Sequence, residues 1–386
     1  MTSLLEKVKN IKWKHYINYI VVGIFALLFT LMTFGGSLPQ STLYMLEEIT
    51  MNILLSVSLC LVVGFLGELS LGHAGFMCVG AYIGGKLAVV LSKTALGNGV
   101  LSFVFCMLLG AVVAGAAGFL IGLPALRLKG DYLAIVTLAF GEIVKTLFQN
   151  SSSESFGGPV GLRTPRFDKQ YLFIIGFALV LLSLFVIQNL IRSKHGRAIT
   201  AIRDNEIAAK ATGINVTKYK LLGFIISAAF AGIAGVFYSF SHNYVKAEVF
   251  DYNYSIEILI MVVLGGMGNI SGAIISATLI TVLNTELQTI LTGDRAVLKD
   301  VIYAIILIVI VIYNNAPALR SFRERFTPRA FVRRLLAKRK GNAYNADDDA
   351  RWDVVPTKID MDEVLSVDLK VVESTMRPDK EDKADE

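Results

Sequence analysis

The chain has 386 residues, of which 54% are hydrophobic and 18% are charged, and its mean hydropathy is +0.60. Soluble domains carry roughly 25% charged residues, so this composition excludes an ordinary soluble protein and indicates an all-α polytopic membrane protein. Residues 341–386 hold 14 acidic and 6 basic residues, so the net charge of +6 conceals about +14 on residues 1–340. In a membrane protein that excess belongs in cytoplasmic loops, and nucleic-acid binding is not needed to explain it.

Ten apolar runs predict about ten transmembrane helices, because each can cross or nearly cross a hydrocarbon core about 30 Å thick. The first run follows lysine-rich residues 1–16, which we interpret as a cytoplasmic N-terminal segment without the short core and cleavage site of a secretory signal. The runs are Ile17–Phe34, Thr50–Leu66, Ala74–Leu91, Gly99–Gly122, Asp131–Phe148, Tyr171–Ile191, Tyr219–Phe240, Ser255–Gly268, Ile270–Leu291 and Leu298–Tyr313.

The distribution of lysine and arginine predicts that both termini are cytoplasmic. Under that topology most basic residues fall in the loop after the fourth span, in loop 192–220 and in the stretch from Arg320 onward. The predicted outer loops hold few basic residues, including none in Gly35–Ile49, and only loop 150–170 is an exception. Because cytoplasmic loops are enriched in lysine and arginine, this bias places loop 192–220 in the cytoplasm.

Loop 192–220 is the longest polar and basic interruption between spans, and it predicts two short helices. The first covers Ala198–Arg203, with two isoleucines on one face. The second is capped by Asn205, has Glu206 in its first turn and stops at Gly213. Such a helical elbow is suited to docking against a soluble partner, whereas an ordinary helical loop is the alternative.

Some spans carry features that lipid tolerates poorly. Ser255–Gly268 is short and ends in Gly-Gly-Met-Gly-Asn, so a full crossing and a broken helix that lines a cavity remain alternatives. Glu142 and Lys145 lie three residues apart on one helical face and are predicted to pair. His73 is expected to cap or pack at an inner boundary. The remaining ionisable residues in the spans are expected to snorkel to water, and they are Lys86, Glu257 and Glu286.

Small residues at four-residue spacing predict close helix packing rather than a chemical function. The pairs are Gly80 and Gly84, Ala114 and Gly118, Gly118 and Gly122, Ala231 and Gly235, and Gly268 and Gly272. A match to a phosphate-binding loop at 80–87 lacks the Ser or Thr that holds magnesium and follows no strand. The three cysteines lack metal-ligand spacing. The sequence therefore predicts no enzyme, metal site or nucleotide site.

Four stretches together resemble the LivM-type permease subunits of branched-chain amino-acid ABC transporters. They are residues 67–76, 126–142, 196–215 and 263–269, and they spread over roughly 50–315. The resemblance implies a type II ABC importer-like permease domain over 17–315. Beyond it, segment 316–340 is predicted to be a basic amphipathic helix on the inner leaflet, and the acidic tail 341–386 is predicted to be disordered.

The resemblance further implies a subunit of an importer of leucine, isoleucine and valine in a prokaryotic plasma membrane. Its implied partners are ATP-binding subunits, a second related permease and an external solute-binding protein. ATP and magnesium would be bound by partner subunits, with no cofactor in this chain. The implied contacts of coupling loop 192–220 with an ATP-binding subunit are Arg203, Glu206, Ala208, Ala209 and Gly213. The candidates for lining a translocation path are Asp131, Tyr132, Thr137, Glu142, Gly265, Gly266 and Gly268.

Other functions remain alternatives at the level of sequence. Related permeases carry urea or short amides, and nothing in the sequence separates those substrates from branched-chain amino acids. An ion-coupled secondary transporter would have the same number of spans but should place carboxylates deep in the bundle and needs no docking elbow. A structural membrane scaffold would need neither an elbow nor a broken helix.

Overall fold

A computed structural model describes residues 17–34, 39–94, 97, 99–128, 130–165 and 169–290, together with scattered helical residues between 301 and 312. The chain divides into two compact units, Met1–Asn314 and Asn315–Glu386, and the second lies outside the described residues. The predictions for 1–16, 316–340 and 341–386, and for most of the tenth span, therefore concern residues outside the described part.

Helices dominate the described chain. They are α1 Ile17–Phe34, α2 Gln40–Cys60, α3 His73–Leu91, α4 Val100–Ala125, α5 Asp131–Gln149, α6 Ser153–Phe156, α7 Lys169–Arg192, α8 Lys194–Asp204, α9 Glu206–Ala211, α10 Val216–His242, α11 Tyr252–Gly265 and α12 Ile270–Ile290. A π-helical turn over Leu61–Leu66 continues α2, and strands β1 Leu162–Arg163 and β2 Tyr244–Val245 pair antiparallel. The predicted all-α membrane bundle is confirmed in outline.

Six helices of the described chain are long and apolar enough to cross a membrane. They are Gln40–Leu66, α3, α4, residues 172–192 of α7, α10 and α12. Helices α1 and α11 are shorter apolar helices, and α5 coincides with a further predicted run. The chain is therefore a multi-pass membrane protein, although the described residues do not cover all ten predicted spans.

Helices α3, α4 and α10 form the most tightly packed part of the bundle, and glycines make their approach possible. A Cβ atom on Gly80 would collide with the backbone of Gly232, and one on Gly235 would collide with the carbonyl oxygen of Met77. Between α4 and α10, a Cβ on Gly118 would lie 2.6 Å from the Cβ of Ala228. The predicted packing role of these small residues is confirmed, as expected where van der Waals contact holds helices together in lipid.

Helices α2 and α8 begin well before their predicted first residues. Residues 40–49 belong to the predicted outer loop Gly35–Ile49, but they form the first turns of α2. Glu47 is buried and accepts a hydrogen bond from Ser241, so tertiary contact offsets its polarity. Helix α8 begins at Lys194 rather than at Ala198, because the Ser193 hydroxyl accepts hydrogen bonds from two backbone amides of its first turn.

The chain folds back into the bundle between α2 and α3. After the π-helical turn, residues 67–72 are not helical, and α3 begins at His73. The Nε2 atom of His73 lies 2.8 Å from the hydroxyl of Ser58, which is two turns before Leu66 along the helical chain. His73 is thus a buried packing residue, as expected, but it lies deeper in the bundle than the predicted boundary.

The two ends of the bundle differ in structure. At the end called the hairpin end, β1 and β2 pair Leu162 with Val245. The ammonium group of Lys86 donates to the carbonyl oxygen of Glu154 in α6 at 2.8 Å in the same region, so Lys86 binds this short helix instead of only reaching water. The opposite end, called the elbow end, carries α8 and α9, which contact the π-helical turn and α10.

The packing of Gly80 can be tested with a matched pair of glycine variants. Gly80→Ala should destabilise the protein by roughly 1–3 kcal/mol or more, because α3 and α10 must separate to admit the methyl group. Gly23→Ala in α1 is the control, since a Cβ there meets nothing within 4 Å. Melting temperatures in detergent measure the difference, and equal values for the two variants would contradict this account of the packing.

Candidate functional site

The elbow, defined as residues 194–213, packs one face on the bundle and leaves the other exposed. Helix α8 buries Ile199 and Ile202, which confirms the predicted shared face of these two side chains. Gly196 allows the sharp entry into α8, because a Cβ there would collide with the backbone of Ile191. The elbow is therefore held against the bundle rather than extended away from it.

Helix α9 has the predicted caps at both ends. The side-chain oxygen of Asn205 accepts from the amide of Ala208 at 3.0 Å, and Gly213 adopts φ +86°. The amide of Ile214 donates to the carbonyl oxygen of Ala209 at 3.1 Å, which closes the helix as a left-handed glycine cap requires. Space around Gly213 is open, since a Cβ would meet nothing within 4 Å.

The side chains of α9 divide into a buried and an exposed set. Ala209 is buried against the bundle, whereas Ala208 is exposed. Ile207, which the sequence reasoning did not single out, is 80% exposed. The face available to another molecule is therefore small and apolar and centres on Ile207 and Ala208, with Ala209 behind it.

Arg203 connects the elbow to two interruptions in the bundle. Its Nη1 atom donates to the carbonyl oxygen of Gly64 at 3.0 Å, and its Nη2 atom donates to Asp204 at 3.0 Å. Gly67, at φ +79°, lies so close that a Cβ would be 2.7 Å from the arginine Cγ. A Cβ on Gly268 would be 3.3 Å from Nη1. Arg203 thus lies between the end of α2 and the break that precedes α12.

Lys220 forms a second and more buried connection. Only 4% of Lys220 is exposed, although it lies near the start of α10. Its ammonium group lies 2.5 Å from a carboxylate oxygen of Glu68 and 3.1 Å from one of Glu206. These three side chains, which we call the ionic centre, join the segment after α2 to α9 and α10.

The ionic centre continues into the non-helical segment 67–72. Beyond Glu68, the amide of Leu71 donates to the hydroxyl of Thr137 in α5 at 3.0 Å. The amide of Ala74 donates to the hydroxyl of Ser255 in α11 at 3.1 Å. Because backbone amides in segment 67–72 and in the first turn of α3 have no helical acceptor, these two hydroxyl groups supply partners that lipid cannot. Lys220 therefore links Glu206 in α9 to Glu68, and segment 67–72 in turn contacts α5 through Thr137.

The path candidates on α5 fall into two groups. Asp131 and Tyr132 are exposed at the start of the helix. Thr137 is buried and holds segment 67–72. Glu142 pairs with Lys145 at 2.6 Å, which confirms the predicted pair, and also accepts from the amide of Tyr252 at 3.1 Å. The structure brings Thr137 and Glu142 into contact with other helices and does not bring Asp131 or Tyr132 to them.

The glycine candidates lie at the turn between α11 and α12. Helix α11 has 14 residues, which is about 21 Å of helix and less than a hydrocarbon core. A Cβ on Gly265 would collide with the backbone of Gly272, so this position serves close packing of the two helices. Gly266 and Gly268 have φ values of +91° and +81°. Gly268 faces Gly64 and Arg203, so this turn lies beside the elbow.

The sequence reasoning missed the ionic centre. It counted Lys220 among the basic residues of a cytoplasmic loop and treated Glu68 only as part of a motif. The available signals were Glu68 within the glycine-bounded stretch 67–72 and Lys220 in the first turn of the apolar run Tyr219–Phe240. Pairing across more than 150 positions of sequence leaves no local signal, because only the fold brings Glu68 and Lys220 together.

The arrangement joins the surface elbow to interior segments of the bundle. In the described part of the chain, no group of three or more His, Cys, Asp or Glu residues could hold a metal ion. The described chain forms a multi-pass bundle whose helices are interrupted at segment 67–72 and at the turn Gly266–Gly268. Charged side chains, Arg203 and Lys220, connect these interruptions to the surface elbow. These features define the class of polytopic α-helical membrane proteins.

Comparison with known proteins identifies the family. The family model described as "Branched-chain amino acid transport system / permease component" matches residues 41–311, and the chain belongs to this family. The chain is 38% identical over 305 residues to the high-affinity branched-chain amino acid transport system permease protein LivM of Salmonella typhimurium, which covers 71% of the chain and 68% of that protein. The resemblance inferred from the sequence motifs is confirmed.

Two further relatives are also permease proteins of branched-chain amino acid transport systems. The LivM protein of Escherichia coli is 37% identical over 307 residues, covering 71% of the chain and 69% of that protein. The LivH permease protein of Escherichia coli is 22% identical over 306 residues, covering 71% of the chain and 96% of that protein. No solved structure matches the chain. The homologues are transport permease components rather than enzymes.

Removal of the Lys220 charge should destabilise the elbow end. Lys220→Met leaves two nearby carboxylates without their cation and should cost about 3 kcal/mol or more, because breaking a buried ion pair leaves an uncompensated charge. Thermal unfolding in detergent measures the loss.

Two companion variants make this test specific. Lys218→Met, at an exposed position of the same helix, should leave the melting temperature unchanged. Adding Glu68→Gln to Lys220→Met should recover part of the loss, because one of the two carboxylate charges is removed. A Lys220→Met protein as stable as the Lys218→Met control would show that the ionic centre contributes nothing.

Proposed function

We propose that this chain is a permease subunit of an ATP-driven ABC importer for the branched-chain amino acids leucine, isoleucine and valine. Membership of the permease family and the transport role printed for its LivM relatives support this function. The observation that carries the mechanism is the attachment of the elbow to both helix breaks through Arg203 and Lys220.

The elbow is the docking element for an ATP-binding subunit. Ile207 and Ala208 offer a small apolar surface on a short helix, which fits a cleft on a soluble partner. Glu206 and Arg203 are occupied by the bundle, so their role is to fix the elbow rather than to make the first contact. Gly213 ends α9 and directs the chain into α10.

The ionic centre and Arg203 transmit movement of the elbow. When ATP closes the partner subunits, the elbow moves as a rigid lever, because buried charges hold it to α2 and α10. The segment 67–72 and the turn at Gly266–Gly268 are the places where the backbone can change without breaking helical hydrogen bonds. A partner that binds one conformation better shifts the population towards it by its differential affinity.

The complete importer contains further subunits. A second, related permease beside this chain is supported by the match to LivH permease proteins. An external solute-binding protein delivers the substrate, and the ATP-binding subunits hold ATP and magnesium. The elbow faces the cytoplasm of a prokaryotic cell and the hairpin end faces outward, in accord with the bias of lysine and arginine.

ATP-driven uptake tests the proposed function. Proteoliposomes that contain this chain, its second permease and its ATP-binding subunits should take up labelled leucine when the binding protein and ATP are present. Uptake should stop with a non-hydrolysable ATP analogue, because the chain has no energy source of its own. Labelled urea and acetamide are offered in parallel to separate the related substrate classes.

Three results would contradict the proposal. Uptake by this chain alone on an ion gradient would identify a secondary transporter. ATP-driven uptake of urea or acetamide in place of leucine would assign the chain to the related substrate class. Retention of uptake after deletion of the elbow helix α9 would remove the docking element from the mechanism.

The docking surface can be tested with a matched pair of substitutions. Ile207→Asp should lower co-purification of the ATP-binding subunit at least about tenfold, because a charge on an apolar contact costs about 1.4 kcal/mol or more of binding free energy. Val160→Asp is the control, since Val160 is 68% exposed at the hairpin end. Equal co-purification of both variants would place the contact elsewhere on the chain.

A further inference from the structure

Helix α7 reaches the elbow end with one apolar face turned to the bilayer. Its apolar span covers residues 172–192, which is 21 residues and about 31 Å of helix, close to the thickness of a hydrocarbon core. Leu182, Phe185 and Val186 are exposed on this span at helical spacing, and we call them the lipid-facing stripe. Arg192 lies seven residues after Phe185 and therefore on the same face. The stripe thus ends in a cation at the membrane boundary.

The positive charge continues directly into the first turn of α8. Lys194 and Arg197 are exposed, and they share one face of α8 because they lie three residues apart. His195 between them is exposed as well. We call Arg192, Lys194, His195 and Arg197 the basic corner. It lies in a stretch of sequence without negative charge, since residues 171–203 contain no aspartate or glutamate.

Local contacts fix the position of the basic corner. The Ser193 hydroxyl accepts hydrogen bonds from the backbone amides of His195 and Gly196, so α8 starts immediately after α7. Gly196 approaches the backbone of Ile191 so closely that a Cβ would collide with it. The ring centroid of His195 lies 5.9 Å from that of Tyr219 in the first turn of α10. The corner is therefore held where three helices meet, and it presents its cations at a fixed place on the boundary.

The charges of Lys194 and Arg197 have no anionic partner within the described part of the chain. The two acidic residues of the elbow, Asp204 and Glu206, pair with other cations. Arginine and lysine both donate charge-assisted hydrogen bonds to phosphate oxygens. The basic corner therefore offers two cations to an external anion beside the bilayer.

We propose that the basic corner binds the phosphate headgroup of an anionic phospholipid in the leaflet on the elbow side. Clusters of lysine and arginine next to a transmembrane helix attract such lipids. Lys194 and Arg197 donate to the phosphate oxygens, while the acyl chains lie along the lipid-facing stripe of α7. A lipid fits better than a soluble subunit, because the cations continue a face that the bilayer covers. The exposed docking residue Ile207 belongs to the next helix, so the lipid secures the membrane side of the elbow without occupying the docking surface.

Lipid-dependent melting of the full chain in mixed micelles tests this site. Dioleoylphosphatidylglycerol, which is anionic, should raise the melting temperature by about 2 °C or more, because a ligand that binds the folded state stabilises it. Dioleoylphosphatidylcholine has the same acyl chains and a headgroup without net charge, and it should give no shift. Inorganic phosphate and glycerol 3-phosphate at matched ionic strength should give none either, since they lack the chains that lie along α7.

A matched pair of double variants locates the lipid. Lys194→Gln with Arg197→Gln should raise the phosphatidylglycerol content needed for half of the shift at least about tenfold, since each cation near an anionic surface contributes about fivefold to binding. Each single substitution should raise it about fivefold on the same basis, and Lys194→Arg, which keeps the charge, should not raise it. Lys246→Gln with Arg163→Gln removes the same two charges from exposed positions at the hairpin end and should leave the response unchanged.

Several results would overturn the inference. An equal shift of the unaltered protein with phosphatidylcholine or with free phosphate would do so without any variant. Equal losses in the two double variants would show attraction to charge in general instead of a site. A basic-corner variant that keeps its lipid response but loses co-purification of the ATP-binding subunit would place these cations in the interface with that subunit. Failure of the proposed function is a separate result, seen as a complete transporter without ATP-driven leucine uptake.

Discussion

The structure depends on one buried cation. Lys220 lies between Glu68 and Glu206, and so it joins the segment after α2, the elbow and α10 at a single point. A buried charge is tolerated only when it is paired and hydrogen-bonded, so the three parts cannot separate without leaving charge uncompensated. This constraint turns a surface loop into an element whose position is coupled to the interior of the bundle.

The segments that Arg203 contacts have irregular backbone. The non-helical segment 67–72 and the turn at Gly266–Gly268 approach each other where Gly64 meets Gly268, and Arg203 lies against both. Irregular backbone survives within a membrane protein only where other groups satisfy it. Thr137 accepts from Leu71 in segment 67–72, and Ser255 accepts from Ala74 in the first turn of α3. The helices α3, α4 and α10 are packed through glycine contacts and provide the rigid part against which such segments can move.

The two ends of the bundle have opposite chemistry, and this contrast suits a permease. The elbow end presents basic residues and the exposed apolar side chain of Ile207, whereas the hairpin end carries strands β1 and β2 and a polar cavity lined in part by Glu48 and Glu257. Helix α10 connects the two, because Lys220 lies near its start and Tyr238 near its end. A single helix therefore runs from the ionic centre to the cavity.

The sequence by itself determined the membrane class, most helix positions, the family and the caps of α9, because hydropathy, glycine spacing and Asn205 act locally. Only the tertiary structure decided which polar residues are joined. The sequence predicts a loop at residues 40–49, whereas the structure forms a helix there in which Glu47 accepts a hydrogen bond from Ser241. No sequence pattern links Glu68 with Lys220, which the fold brings into contact. The same holds for Gly268, which the sequence suggested for a path and the structure places beside Arg203. Local patterns follow from neighbouring residues, whereas these pairings arise only when distant helices pack.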